Sequence, residues 1–183
     1  MALSWKNTST GYGWLSILIH WLMMILIVAA YVTMNLKSSF PKGSPSRDAV
    51  VSLHYMLGLS VLCFVWLRIG ARIACTSPAI QPSLTALQAY WAKFMHWMLY
   101  VLMILLPILG WLTLSARGKP VPFFGAELPA LIDKSQEIAK LFRDIHGSLA
   151  NTGYLLIGLH AAAALYHHYI KRDNTLLLML PGR

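Results

Sequence analysis

Histidines are the residues of this chain best suited to chemistry, and four of its seven crowd one apolar stretch, Asp144 to Lys171, DIHGSLANTGYLLIGLHAAAALYHHYIK. His146, Gly153, His160 and His167 recur there at intervals of seven. At about 100° per residue a step of seven drifts only roughly 20°, so a helix sets all four on one stripe. Fourteen residues at about 1.5 Å each place His146 and His160 on the order of 21 Å apart along the axis. Between the flanking charges, Ile145 to Ile170 hold 26 residues without an Asp, Glu, Lys or Arg, enough to cross a bilayer as a helix. Such a helix offers two imidazoles on one face, one near each side of the membrane. Polar groups at that depth are costly and mark function by default.

The elements that must position these rings are equally apolar. Of 183 residues, 57% are hydrophobic and 11% charged, against about 25% charged in an ordinary soluble domain. Three more charge-free runs occur: Asn7 to Leu36 (30 residues), Ala49 to Leu67 (19) and Phe94 to Ala116 (23). Each reaches the roughly 18 residues that identify a spanning helix. The pattern predicts an all-α membrane protein, a four-transmembrane-helix antiparallel bundle. It forms a single domain over residues 1–183, with spans at about 13–36, 49–73, 89–115 and 145–170. The apolar stretch from Trp14 to Leu36 is longer than the about 7–15 residues of a secretory signal and reads as a retained first helix. Pro107 predicts a kink in the third helix. In the long connection after Ala116, Leu131 to Phe142 have apolar residues at helical spacing, which predicts a short interfacial helix.

Antiparallel crossing sorts the histidines by depth. His54 and His146 each open a helix entering from the same side and form one layer. His20, His96 and His160 approach the other side, with His167 and His168 nearer that surface. Two layers of paired imidazoles inside a bundle suit two bis-histidine haems, each iron capped on both faces with no open coordination position. No CxxCH occurs, which excludes covalent c-type attachment. Gly153, midway between His146 and His160, leaves room for porphyrin edges, and Gly58 and Gly158 are further candidates. Arg47, Arg68, Arg72 and Arg143 sit near helix ends where haem propionates would emerge, although ordinary juxtamembrane charge explains them equally well. A polar helix–helix contact accounts for any one histidine but not for the layering. A zinc or copper path normally adds carboxylates or thiolates, and no acid lies within any span. Cys63 and Cys75 read as packing residues. His96 has no clear partner in the other layer and His168 points off the stripe. Spacing alone does not settle whether His96 is a ligand. His167, one heptad beyond His160, is the candidate proton donor to a quinone.

Orientation is not decided by charge. The segments on the N-terminal side carry seven Lys/Arg (Lys6, Arg68, Arg72, Lys93, Lys171, Arg172, Arg183) and the opposite loops eight (Lys37, Lys42, Arg47, Arg117, Lys119, Lys134, Lys140, Arg143). The positive-inside rule is therefore balanced. Five of the six acids share the opposite loops. Cations kept there despite a topological disadvantage would suit attraction of an anion.

The residues resemble the bacterial cytochrome b561 family along nearly the whole chain. The resemblance rests on IHWLMMILIVAAY around His20, His54 with Gly58, HWMLYVLMILLPILG from His96, RGKPVPFFG, LANTGYLLIGLHAAAALYHHY, and the DNTL that follows. The helix IV block is the specific part. The chain departs from the family in Leu178 and the terminal Pro181, Gly182 and Arg183, which stand in place of a more basic tail. The resemblance implies two haems b, one ligated by His54 with His146 and the other by His20 with His160, and makes His96 a non-ligand. It implies a superoxide:ubiquinone oxidoreductase of the bacterial inner membrane, multi-pass, with both termini cytoplasmic. Superoxide would then give electrons on the periplasmic side and ubiquinone accept them. The implied partners are the bilayer, ubiquinone and superoxide, with no nucleic acid, and self-association into a homo-oligomer is compatible with the sequence. A second reading from related four-helix, di-haem subunits is a membrane anchor and electron relay for a dehydrogenase or hydrogenase. The short inner loop and tail favour the stand-alone reading.

Overall fold

Each long helix of the computed structural model, which describes residues 5–180, starts where a polar side chain satisfies its first free amides. Helix α1 (Trp14–Leu36) opens on Gly13 without a side-chain cap of its own. Asn7 supplies one from upstream, its carbonyl accepting from the Gly13 amide at 3.0 Å and the Ser16 hydroxyl at 2.7 Å. Helix α2 (Pro45–Ala74) is capped by Ser44, with Pro45 at its first position and Asp48 in its first turn. Helix α3 (Ala86–Ala116) begins with a reciprocal capping box between Thr85 and Gln88. Helix α4 (Gln136–Tyr166) is capped by Ser135, with Glu137 in the first turn. All four are long and apolar enough to cross a membrane. Arg183 and the Pro181–Gly182–Arg183 departure lie outside the described residues.

The bundle is two helical hairpins side by side. Helix α1 packs against α2 and α3 against α4, and α2 meets α3 to join the pairs. No comparably close backbone approach links α4 to α1 or α2. The main apolar core accordingly sits between the first three helices, around Ile19, Met23, Val61 and Val65. Helix α4 is the least buried span, with 6% of its most apolar stretch buried against 17–22% for the others. Side chains, rather than backbone contact, must bridge from α4 to the first hairpin.

Two features differ from the sequence expectation. The segment from Leu131 to Phe142 is not a separate interfacial helix. Residues 131–135 are non-helical, and the rest form the first turns of α4. At about 1.5 Å per residue, the 31 residues of α4 exceed the roughly 30 Å apolar thickness of a bilayer. Its charged start, Glu137 to Asp144, therefore extends α4 past the apolar run instead of lying along the surface. Upstream, β1 (Val121–Phe123) and β2 (Ala126–Leu128) form an antiparallel hairpin that periodicity did not predict. Phe124 and Gly125 turn it with φ of 48° and 87°, the paired positive φ of a two-residue turn that follows strand twist. Val121 is nearly fully buried against Leu59 and Leu114, fastening the hairpin to the bundle. Helix α3 runs unbroken through Pro107.

Candidate paired-imidazole sites

His54 on α2 and His146 on α4 face each other on the side opposite the N-terminus, with ring centroids 6.2 Å apart and planes at 76°. His20 on α1 and His160 on α4 do so on the N-terminal side, at 6.3 Å and 66°. Two imidazoles giving one nitrogen each to a shared metal at about 2.0 Å, from opposite faces, have ring centres roughly 6.3 Å apart. Both pairs fit that spacing. Each reaches across the interval that α4 keeps from the first hairpin, where a flat prosthetic group would have to lie.

The opposite-side pair is oriented by backbone. His54 Nδ1 lies 2.9 Å from the Ala30 carbonyl of α1, and His146 Nδ1 lies 2.9 Å from the Leu106 carbonyl of α3. A carbonyl can only accept, so both Nδ1 atoms carry the proton and both Nε2 atoms keep a lone pair. That is the tautomer an axial ligand needs, held by the outer hydrogen bond typical of metal-bound histidine. Gly110, one turn past Leu106, lies against the ring with room for a methyl group but not for a long side chain. A Cβ placed there would stand 3.6 Å from His146 Cε1. Gly58, one turn past His54, has no atom within 4 Å of where its Cβ would be, so that side of the pair is open. These features fit a haem.

The N-terminal-side pair is crowded instead. Among the described residues no hydrogen bond reaches a ring nitrogen of His20 or His160. Trp21 lies edge-on to His20 with centroids 5.6 Å apart, and its indole N–H donates to the Met179 carbonyl at 2.7 Å. His96 stands 5.5 Å from His160, well short of the spacing for two trans ligands. A third imidazole at this layer is therefore present, but His20 is the one at ligand distance from His160. Among the described residues no group of three or more His, Cys, Asp or Glu is arranged to hold a bare metal ion. A shallow cavity at this end is walled by Asn7, Ser16, Arg68, Arg72, Tyr100 and Met179, and Arg68 acts electrostatically on His20, His96 and His160.

Three other expectations are modified. The room made by Gly153 is not free, because the Tyr31 hydroxyl of α1 occupies it and donates to the Ala150 carbonyl at 2.8 Å. That glycine lets α1 touch α4 midway between the two imidazole layers. Gly158 is exposed and off the histidine stripe. Of the four arginines near helix ends, Arg47 is committed to the Lys37 and Phe40 carbonyls at 3.1 and 2.9 Å. Arg143 pairs with Asp144 at 3.3 Å on the surface, which leaves Arg68 and Arg72 beside a histidine layer. His168 lies within the turn that ends α4, its ring 4.8 Å from that of Tyr169. Cys63 and Cys75 are both free thiols.

His167 ends α4 and is joined to Asp173, its Nδ1 2.5 Å from Oδ2. The acid partner had no periodic signal, because the chain has by then left the helix.

The family model for prokaryotic cytochrome b561 matches residues 11–182. The chain is 38% identical over 167 residues to cytochrome b561 homolog 1 of Escherichia coli (strain K12), covering 91% of this chain and 95% of that one. It is 35% identical over 172 residues to the probable superoxide oxidase CybB of Yersinia pestis, covering 94% and 97%. With cytochrome b562 of Cereibacter sphaeroides it shares 28% over 177 residues, covering 94% and 97%.

Proposed function

The chain belongs to the prokaryotic cytochrome b561 family, and on that premise we propose that this bacterial membrane b-type cytochrome is a superoxide oxidase that passes electrons to ubiquinone. The observation that carries the reading is the pair of imidazole pairs at ligand spacing, one toward each face of the membrane. His54 with His146, and His20 with His160, would each hold one haem b. When bound there, two haems b supply a one-electron path between the faces.

In the overall reaction, two superoxide anions each give up one electron and leave as O2. Ubiquinone takes both electrons and two protons to become ubiquinol. The side opposite the N-terminus is the periplasmic one, so both termini are cytoplasmic. Exposed Lys42, Lys119, Lys134 and Lys140 stand on that periplasmic side, where a cationic field raises the encounter rate of a small anion. Closed coordination by two imidazoles suits electron transfer without oxygen binding. Ubiquinone is reduced on the N-terminal side, with His167 as the proton donor. The similarity to the probable superoxide oxidase of Yersinia pestis supports the substrate.

The test is anaerobic addition of superoxide to the purified protein. The haem absorption should shift to the reduced form, and added ubiquinone should then reoxidise it. The initial rate should fall as ionic strength rises, because the steering charges are exposed. Haems that stay oxidised under superoxide contradict the substrate assignment.

A further inference from the structure

We propose that Asp173 is a positioning residue for His167, and that the two form the proton-delivery pair of the quinone-reducing end. This rests on the superoxide:ubiquinone reading above. The geometry is built by an abrupt change of backbone. Helix α4 gives way at His167 to a π-helical turn, His167–Lys171, and Arg172 then adopts a left-handed conformation with φ of 56°. The chain reverses there. The Asp173 amide returns to the His167 carbonyl at 3.1 Å, and the Asp173 carboxylate meets His167 Nδ1. Its second oxygen accepts from the Thr175 amide at 2.9 Å.

Asp173 is the one acid of the six outside the opposite-side loops, and only 4% of it is exposed. A buried carboxylate is costly unless it is paired and hydrogen-bonded, and here its partners are an imidazole and an amide. Burial alone would raise the Asp173 carboxyl, but the hydrogen bonds from His167 and Thr175 outweigh it and hold the group below its ordinary value. The His167 side chain, by contrast, is 18% exposed against 3% for Asp173. The acid is sealed in and the ring edge is reachable. Lys171 and Arg172 are exposed beside the pair, and the Tyr166 ring stands edge-on to His167 at 5.9 Å. The tail then ties the pair to the His20 layer. Asn174 bonds both ways with Gln81 across the α2–α3 loop, and the Met179 carbonyl takes the Trp21 indole N–H.

With Nδ1–H directed at the carboxylate, Nε2 is the atom that can face a ligand. As imidazolium, His167 gives its Nε2 proton to a quinone oxygen and becomes neutral with the proton retained on Nδ1. Asp173, by accepting from Nδ1, fixes the ring's orientation and the tautomer left after transfer. Water on that side returns the proton. Two such transfers, with the two electrons from two superoxide anions, complete one quinol.

Asp173→Asn and Asp173→Glu tested in the full, haem-loaded protein discriminate the possibilities. For Asp173→Asn we expect quinol formation to lose about 10-fold or more in kcat with KM nearly unchanged, while haem content and the rate of haem reduction by superoxide stay as in the parent. Asp173→Glu should recover part of the loss. A far-downfield Nδ1 proton of His167 in the NMR spectrum of the reduced protein should be present in the parent and absent in Asp173→Asn. If Asp173→Asn makes quinol at the parent rate, the pairing role is overturned and the superoxide:ubiquinone reading stands. If it loses haem or slows both half-reactions alike, Asp173 is a structural cap and the proposal falls. If the parent itself reduces no ubiquinone while accepting electrons from superoxide, the acceptor reading fails and takes the pair's role with it.

Discussion

The His54–His146 and His20–His160 pairs have almost the same spacing, 6.2 and 6.3 Å, but they are held in place differently. On the opposite side, carbonyls of α1 and α3 accept from both Nδ1 atoms, so each ring's rotation and tautomer are fixed by helices that carry neither ring of that pair. On the N-terminal side, orientation comes from aromatic packing by Trp21 and from a third imidazole, His96. The first arrangement is preorganised and selective for one tautomer. The second surrounds its pair with polarisable and charged neighbours, Arg68 among them. A carbonyl hydrogen bond raises ligand basicity and a nearby cation opposes positive charge. The two pairs thus offer different settings to the haems proposed to bind there, with the cationic setting on the side proposed to hand electrons on.

Breaking either pair should have the largest effect. His54→Ala or His146→Ala should leave one haem per chain, on the N-terminal side, and His20→Ala or His160→Ala should leave the other. Haem quantification with absorption spectra of each purified variant checks this. Loss of both haems from one substitution would show that the pairs are not independent. Next in size is Gly110→Leu, whose side chain must displace His146 from the Leu106 carbonyl. It should weaken the opposite-side haem by about 10–100-fold and leave the other unaffected. Gly110→Ala should be tolerated, because its Cβ would make ordinary contact at 3.6 Å. Titration of haem into apoprotein reads both.

A smaller effect is expected between the sites. Gly153→Ala drives a methyl group into the Tyr31 hydroxyl and breaks its bond to Ala150, at a cost of about 1–3 kcal/mol. Adding Tyr31→Phe should recover most of that loss in thermal unfolding, since it removes the clashing atom. No recovery would sever the contact from the effect. The smallest change in stoichiometry belongs to His96→Ala. Both haems should remain, with only the N-terminal-side spectrum or potential altered, and loss of a haem would make His96 a ligand.

Much of this was legible in the sequence because a bilayer enforces simple rules. Charge-free runs mark the spans, and a seven-residue recurrence puts His146 and His160 on one stripe at two depths. What was hidden depends on atoms without a side-chain signature. The Ala30 and Leu106 carbonyls that orient His54 and His146 look like any other backbone. Gly110, within PILG, shows its purpose only once α4 lies beside it. Gly153 offers by its spacing room for a cofactor, yet it admits Tyr31 from a helix far away in sequence. The charged start of α4 hid its true length, because Lys140, Arg143 and Asp144 end the apolar run without ending the helix. Two strands of three residues each, the first with a proline at its centre, give too little alternation to foresee the hairpin. Asp173 belongs to the same class, since its meeting with His167 follows from a left-handed Arg172 that no periodicity marks.

The central claim is two bis-imidazole centres in one chain. It is tested most directly on the unaltered purified protein, by haem quantification combined with electron paramagnetic resonance of the oxidised form. Two haems b per chain are expected, both low-spin with two nitrogen ligands. A single haem per chain, or a substantial high-spin signal from an iron with an open position, would contradict it.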